Sequence, residues 1–173
     1  MKFLPPVGKA ITTLLLVLVS TITQARPPIG NWHPPEPVLE SVVLQTSLYT
    51  THYNPKPEHN NDQQLVGLEL HNPEGWLLGG ARFLNSFGQE TVFAYGGQER
   101  TFWRSGTQLS AHAKLAVGII HGYRGEFADK VPMNNLGVAP GVLPSIGLRW
   151  DQLHAEAVLF GLAGTMVTAG IRF

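Results

Sequence analysis

Cysteine is absent from the 173-residue sequence, so neither disulfides nor thiolate metal sites are available to it. Charge is scarce as well: only 14% of residues are Asp, Glu, Lys or Arg, and their formal sum is +0, which leaves no electrostatic case for nucleic acid. Long hydrophobic runs are also missing beyond the N-terminus, so nothing downstream is long enough to cross a bilayer as a helix. What is plentiful instead is 19 Gly and 13 Pro beside 43% hydrophobic residues, a composition suited to a β-rich chain with many turns.

The N-terminus carries Lys2 and Lys9, then an apolar run over 11–19 and a small residue, Ala25, after Thr23-Gln24. This pattern predicts a secretory signal peptide over 1–25, because the run is shorter than the ~20 residues of a spanning helix. Its removal takes two of the 12 basic residues and none of the 12 acidic ones, so the mature chain is slightly acidic. Residues 26–40 hold five prolines and are expected to form an extended lead-in.

From residue 41 onward the chain divides into eight segments of strand length: 41–53, 63–71, 76–86, 91–103, 110–124, 138–150, 153–162 and 164–173. Several alternate. His154 and Glu156 oppose Ala155, Ala157 and Leu159; Lys114 opposes Leu115, Val117 and Ile119; Ser145, Gly147 and Arg149 oppose Ile146, Leu148 and Trp150. Isolated charges on one face of otherwise apolar strands predict lipid outside and a polar interior. The final strand places Val167, Ala169, Ile171 and the terminal Phe173 on one face, an ending similar to the last strand of bacterial outer-membrane barrels. The expected fold is therefore all-β, an eight-stranded antiparallel transmembrane barrel over 41–173 in the bacterial outer membrane.

Segment 76–87, WLLGGARFLNSF, fits a strand crossing between aromatic girdles at Trp76 and Phe87. Arg82 and Ser86 share its parity. Because Arg facing lipid near the midplane costs roughly 2–4 kcal/mol, Arg82 is expected to face the lumen, and Ser86 with it. With both termini periplasmic, the outer loops are 54–62, 87–90 and 125–137, and the short turns 72–75 and 151–152 are periplasmic. That topology gathers His52, Asn85, Ser86, His121, Tyr123 and Arg124 on one rim, with Glu126 and Asp129 nearby. A hydroxyl, an imidazole and an orienting group are the parts acyl transfer requires.

The order of these features resembles the lipid A palmitoyltransferase (PagP-like) family of outer-membrane barrels. Thr51-His52-Tyr53 stands where that family has its catalytic His, and Phe83-Leu84-Asn85-Ser86-Phe87 is similar to its Phe-x-Asp-Ser-aromatic segment. Gly118, Pro132, Pro140 and Pro144 follow in a similar order. The resemblance implies an eight-stranded barrel that moves an acyl chain from a phospholipid to lipid A, with His52 as base, Ser86 as hydroxyl and Asn85 as orienter. It also implies that Pro140 and Pro144 open gaps in the sheet for lipid entry. Arg82, His121, Tyr123 and Arg124 are the expected substrate contacts, and Val66, Leu68 and Leu78 the candidates for an apolar acyl pocket. Two features depart from the family: Asn85 replaces its Asp, and the lead-in is Pro-rich where the family has an amphipathic helix.

The alternative is a non-enzymatic barrel that binds or transports a small anionic solute such as glycerol 3-phosphate, with Lys114, Arg82 and Arg149 lining the lumen. No cofactor is expected. No metal is expected either, since His52 and His59 are separated by a Pro-rich loop and His112 and His121 have opposite parity. Outer-membrane lipids are the expected partners of a monomer.

Overall fold

The computed structural model describes residues 37–173. The expected signal peptide and positions 26–36 of the lead-in lie outside them. Eight strands follow in order: β1 Ser41–His52, β2 Val66–His71, β3 Trp76–Leu84, β4 Glu90–Ser105, β5 Leu109–His121, β6 Val138–Trp150, β7 Leu153–Leu159 and β8 Gly164–Arg172. Each pairs antiparallel with its sequence neighbours, and β1 pairs with β8 from Val43↔Arg172 to His52↔Gly164, so the sheet closes into a barrel without a free edge strand. The expected architecture is thus the observed one.

Two-residue periodicity explains why these segments close this way round. Lys114, Ser145, His154 and Glu156 are buried, whereas Leu115, Val117, Ile119, Ile146 and Leu148 are 46–59% exposed on the outer surface. An exposed apolar belt around a buried polar interior reverses the arrangement of a soluble barrel and is the outer-membrane type. Trp76, Phe102, Trp103, Trp150 and Phe173 form an exposed aromatic band at the end where β3 begins and β4, β6 and β8 finish. The connections at that end, 72–75, 106–108 and 151–152, are short. Those at the other end include the long 53–65 and 122–137. This asymmetry marks the long-loop end as the outer one.

The lumen has two layers. Toward the short-turn end Glu69, Glu99, Lys114, Arg149, Glu156 and Arg172 are linked by ion pairs; Lys114 Nζ lies 2.8 Å from both Glu69 Oε1 and Glu156 Oε2. Above them Leu65, Leu77, Ala81, Phe93, Tyr95 and Ala116 form the buried apolar cluster, with Phe83, Ile120, Leu143 and Met166 packed against it. Tyr95 joins the layers: its ring stacks on Phe93 with centroids 4.6 Å apart and its hydroxyl donates to Glu69 Oε1 at 2.8 Å. Gly79 makes room for it, because a Cβ there would lie 2.6 Å from the Tyr95 ring.

Three orientations expected from the sequence are corrected. Arg82 faces outward, 70% exposed, and pairs with Glu90 across the β3–β4 hairpin near the outer rim. It is Leu77, Gly79, Ala81 and Phe83 that occupy the inward side of β3. Val66, Leu68 and Leu78 also point outward, at 68%, 42% and 64% exposure, and line no interior pocket. Phe87 is not part of a girdle but turns into the barrel mouth, as described below.

Candidate functional site

His52 is the last residue of β1, yet it is only 7% exposed. Its Nε2 lies 2.8 Å from Ser86 Oγ and its Nδ1 lies 2.8 Å from Asn61 Oδ1. Because the Asn61 carbonyl oxygen can only accept, Nδ1 carries the ring proton and Nε2 is the free base. The Ser86 hydroxyl therefore donates to Nε2. Serine, histidine and a carbonyl acceptor in line, each at hydrogen-bond distance, are the geometry by which an imidazole activates a nucleophilic hydroxyl.

Ser86 owes its inward position to a turn rather than to strand parity. β3 ends at Leu84, and Asn85, 1% exposed, closes the tight connection to β4. Asn85 Oδ1 accepts the backbone N–H groups of Phe87 at 2.9 Å and Gln89 at 3.1 Å, while its own carbonyl accepts from Gly88, whose φ of +72° suits glycine. The expected role of Asn85 as orienter is thus corrected: its oxygen is spent on the turn that presents Ser86. An Asp in this position would make the same bonds, so the Asn-for-Asp departure leaves the turn intact.

The group against His52 Nδ1 is Asn61, and it arrives with a segment that sequence reasoning did not single out. Asn60 donates its backbone N–H to the Ser86 carbonyl at 2.7 Å and its side-chain amide to the Asn85 carbonyl at 3.3 Å. Gln63 is tied to the same segment through Asn60 O at 2.7 Å and accepts the Leu84 N–H at 2.7 Å. Loop 53–65 is thereby stitched to the β3–β4 turn, with Asn61 against one nitrogen of His52 and the His59 ring tilted 36° against its ring at 4.2 Å between centroids. Burial first, and then the neighbouring His52, push the His59 imidazole below its ordinary value.

Of the other expected site residues, Tyr123 reaches the pair and the rest do not. Tyr123 lies beside Ser86; burial pushes its phenol up, with the Ser86 hydroxyl acting in the opposite direction. His121 instead donates from Nδ1 to Gly137 O at 2.6 Å and holds Arg124 at 3.3 Å through Nε2. Arg124 is anchored through its backbone to Gln89 and is exposed at the mouth. Asp129 is exposed on the short 3₁₀ turn Gly125–Lys130 and is not the partner of His52. Arg82, on the outer wall, contributes nothing to this site.

A second buried group escaped the sequence reading, which weighed only histidine pairs. Glu99, His112 and Glu156 bring potential ligand atoms within 4.8 Å of one another. Their charges are already balanced: Arg149 and Arg172 hold Glu99, and Lys114 holds Glu156. A divalent cation would have to displace these partners, so the group reads as the ion-paired floor of the lumen rather than a metal centre.

No protein-family model matches the sequence, and no curated protein matches it. Among solved structures, the N-terminal β-barrel domain of Pseudomonas aeruginosa OprF is similar with a TM-score of 0.42 and 13% identity, over 78% of this chain and 97% of that one.

Proposed function

We propose that this chain is a bacterial outer-membrane barrel that transfers an acyl chain between membrane lipids, using Ser86 as nucleophile, His52 as general base and Asn61 as the group that orients it. The observation carrying the reading is His52 bridging Ser86 and Asn61 at 2.8 Å on each side. Ser86 Oγ attacks the ester carbonyl of the donor as its proton passes to His52 Nε2. The tetrahedral intermediate then expels the lyso-lipid alkoxide, which takes that proton and leaves an acyl-Ser86 ester. In the second half, an acceptor hydroxyl gives its proton to His52 and attacks the ester, and Ser86 recovers its hydrogen. The family resemblance supplies the substrates: a phospholipid donor and a lipid A acceptor.

Lateral access supports this reading. β1 pairs with β2 only from Ser41 to Thr46, and β6 with β7 only from Ser145 to Trp150, so the outer halves of both seams are unladdered. Pro140 and Pro144 fall in the half of β6 that β7 does not pair, opposite Ile119 and Leu115 of β5. Both seams open toward the level of His52, below which Phe83, Ile120, Leu143 and Met166 pack on the buried apolar cluster and make the surroundings of the site apolar.

Transport of an anion is disfavoured by the floor. Lys114 and Arg149, the expected anion ligands, are already engaged by carboxylates. An eight-stranded barrel holds side chains or one small ligand rather than a channel. Mass spectrometry of lipid A from cells with and without the protein tests the proposal: an added acyl chain that vanishes in Ser86→Ala is expected. Unchanged lipid A beside a folded barrel, together with protein-dependent solute uptake, would refute it.

A further inference from the structure

Every outer connection places an aromatic ring at the mouth. His59 comes from loop 53–65, Phe87 from the β3–β4 turn, Tyr123 and Phe127 from loop 122–137, and Phe160 from the β7–β8 turn. These rings are in continuous contact. Phe160 makes a T-shaped contact with His52 at 5.8 Å, His59 lies tilted against His52 at 4.2 Å, and Phe87 touches His59 at 5.8 Å and Tyr123 at 6.3 Å. Phe127 lies flat on Phe87, with centroids 4.2 Å apart and planes 9° from parallel. On the turn that carries Phe127, Glu126, Asp129 and Lys130 face solvent, while Phe127 and Ala128 are half-buried. An amphipathic turn of this kind seats its ring on Phe87, which in turn meets His59 beside His52.

We infer that this aromatic cap shields the base His52 from bulk water, beside a half-buried Ser86, and so commits the acyl group to a lipid hydroxyl rather than to hydrolysis. The inference rests on the acyl-transfer reading and adds to it what decides the fate of the acyl-Ser86 ester. Two nucleophiles compete for that ester. A lipid hydroxyl gives the acylated acceptor and regenerates Ser86–OH, whereas water gives a free fatty acid and the same Ser86–OH; in each case the attacking oxygen loses its proton to His52. Chemistry at the carbonyl does not separate the two, so selection must come from access. A rim residue would ordinarily be solvated, yet His52 is 7% exposed under this cover. A lipid acceptor can enter through the unladdered seams from the bilayer side, where water is scarce, while bulk water approaches from the capped side.

The test uses the full barrel in mixed micelles of dipalmitoyl phosphatidylcholine and lipid A, and measures acylated lipid A against free palmitate. Wild-type protein is expected to yield mainly acylated lipid A. Phe127→Ala and, separately, Phe160→Ala should raise the palmitate share several-fold, and Phe127→Leu should restore most of the transfer. Heat-modifiable gel migration confirms that each variant is folded. An unchanged product ratio in both folded alanine variants overturns the cap, as does a wild-type protein that produces mainly palmitate. Donor cleavage that survives Ser86→Ala, or no cleavage by wild type, instead overturns the acyl-transfer reading on which the inference stands.

Discussion

Replacing Asn61 by Ala separates the proposed orienter from the turn residue beside the nucleophile. In the native site Asn61 Oδ1 accepts from His52 Nδ1 at 2.8 Å and so holds the tautomer in which Nε2 faces Ser86. During attack His52 becomes an imidazolium, and a hydrogen bond to a charged group contributes about 1.5–3 kcal/mol. Losing it from the transition state lowers the rate roughly 10- to 150-fold, at 1.36 kcal/mol per factor of ten. A substrate-independent readout is the rate of covalent labelling of Ser86 by a fluorophosphonate, with the barrel refolded in detergent at neutral pH. Because Asn61 lies in a loop, Asn61→Ala should slow labelling while leaving the unfolding midpoint in urea near that of wild type. Asn85→Ala should do the opposite to stability: two backbone N–H groups lose their acceptor, at about 1–3 kcal/mol for a buried group left unpaired. Labelling of Asn61→Ala at the wild-type rate would refute the assignment and leave His52 positioned by Ser86 and its ring contacts with His59 and Phe160.

Two further outcomes follow from charge. Lys114→Met leaves Glu69 and Glu156 facing each other without the ammonium that lies 2.8 Å from both, and breaking such a buried pair typically costs about 3–5 kcal/mol. Urea unfolding of the refolded barrel should show this loss, with part of it recovered by adding Glu69→Gln; a loss no larger than that of an exposed lysine would contradict the pairing. His59 carries a pH dependence of known sign. Its neutral form is favoured in the folded loop, so the undocked loop binds more protons as pH falls below the ordinary histidine value of about 6.5. Docking of loop 53–65 should be complete above that value and weaken below it, read as a protection factor of the Asn60 amide, its exchange taken relative to the intrinsic rate at each pH, that falls at acidic pH. His59→Phe keeps an aromatic contact and should abolish the dependence; a protection factor constant across the range in the wild type would contradict it.

The strand layout was legible because bilayer and lumen impose a period of two, and Lys114, Arg149, His154 and Glu156 reported the inward face without ambiguity. Arg82 was misread for a reason the same physics supplies. The full cost of an outward Arg applies at midplane depth, but Arg82 lies near the C-terminal end of β3 with Glu90 across the hairpin, where the cost of facing outward falls to about 0–1 kcal/mol. Parity, moreover, stops at Leu84, so Ser86 reached the interior through the Asn85 turn and not by sharing a face with Arg82. Asn61 was invisible to periodicity altogether. Its place depends on loop 53–65 folding back onto the β3–β4 turn through Asn60 and Gln63, contacts that no repeat in the chain encodes. The one available signal was the run Asn60-Asn61-Asp62-Gln63, an unusual density of side-chain acceptors opposite a rim histidine.

The two layers of the lumen favour the proposed chemistry at one end over passage through the barrel. Three carboxylates, Glu69, Glu99 and Glu156, meet three cations, Lys114, Arg149 and Arg172, so the floor offers a diffusing anion no unpaired charge among these six. To descend, glycerol 3-phosphate would have to separate ion pairs whose partners cannot be rehydrated in so narrow a space, and each broken pair exposes a buried charge at a cost of several kcal/mol. The same floor suits an enzyme. Through Tyr95, anchored on Glu69 and seated on Gly79, it braces the apolar layer from below, and that layer sits directly under the Ser86–His52–Asn61 line. A side chain braced on both sides keeps its rotamer, and a reactive ester entering above meets a wall that does not yield. The charge network is therefore expected to act on rate only through geometry: weakening the floor should loosen substrate fit before it touches the reactivity of Ser86 itself.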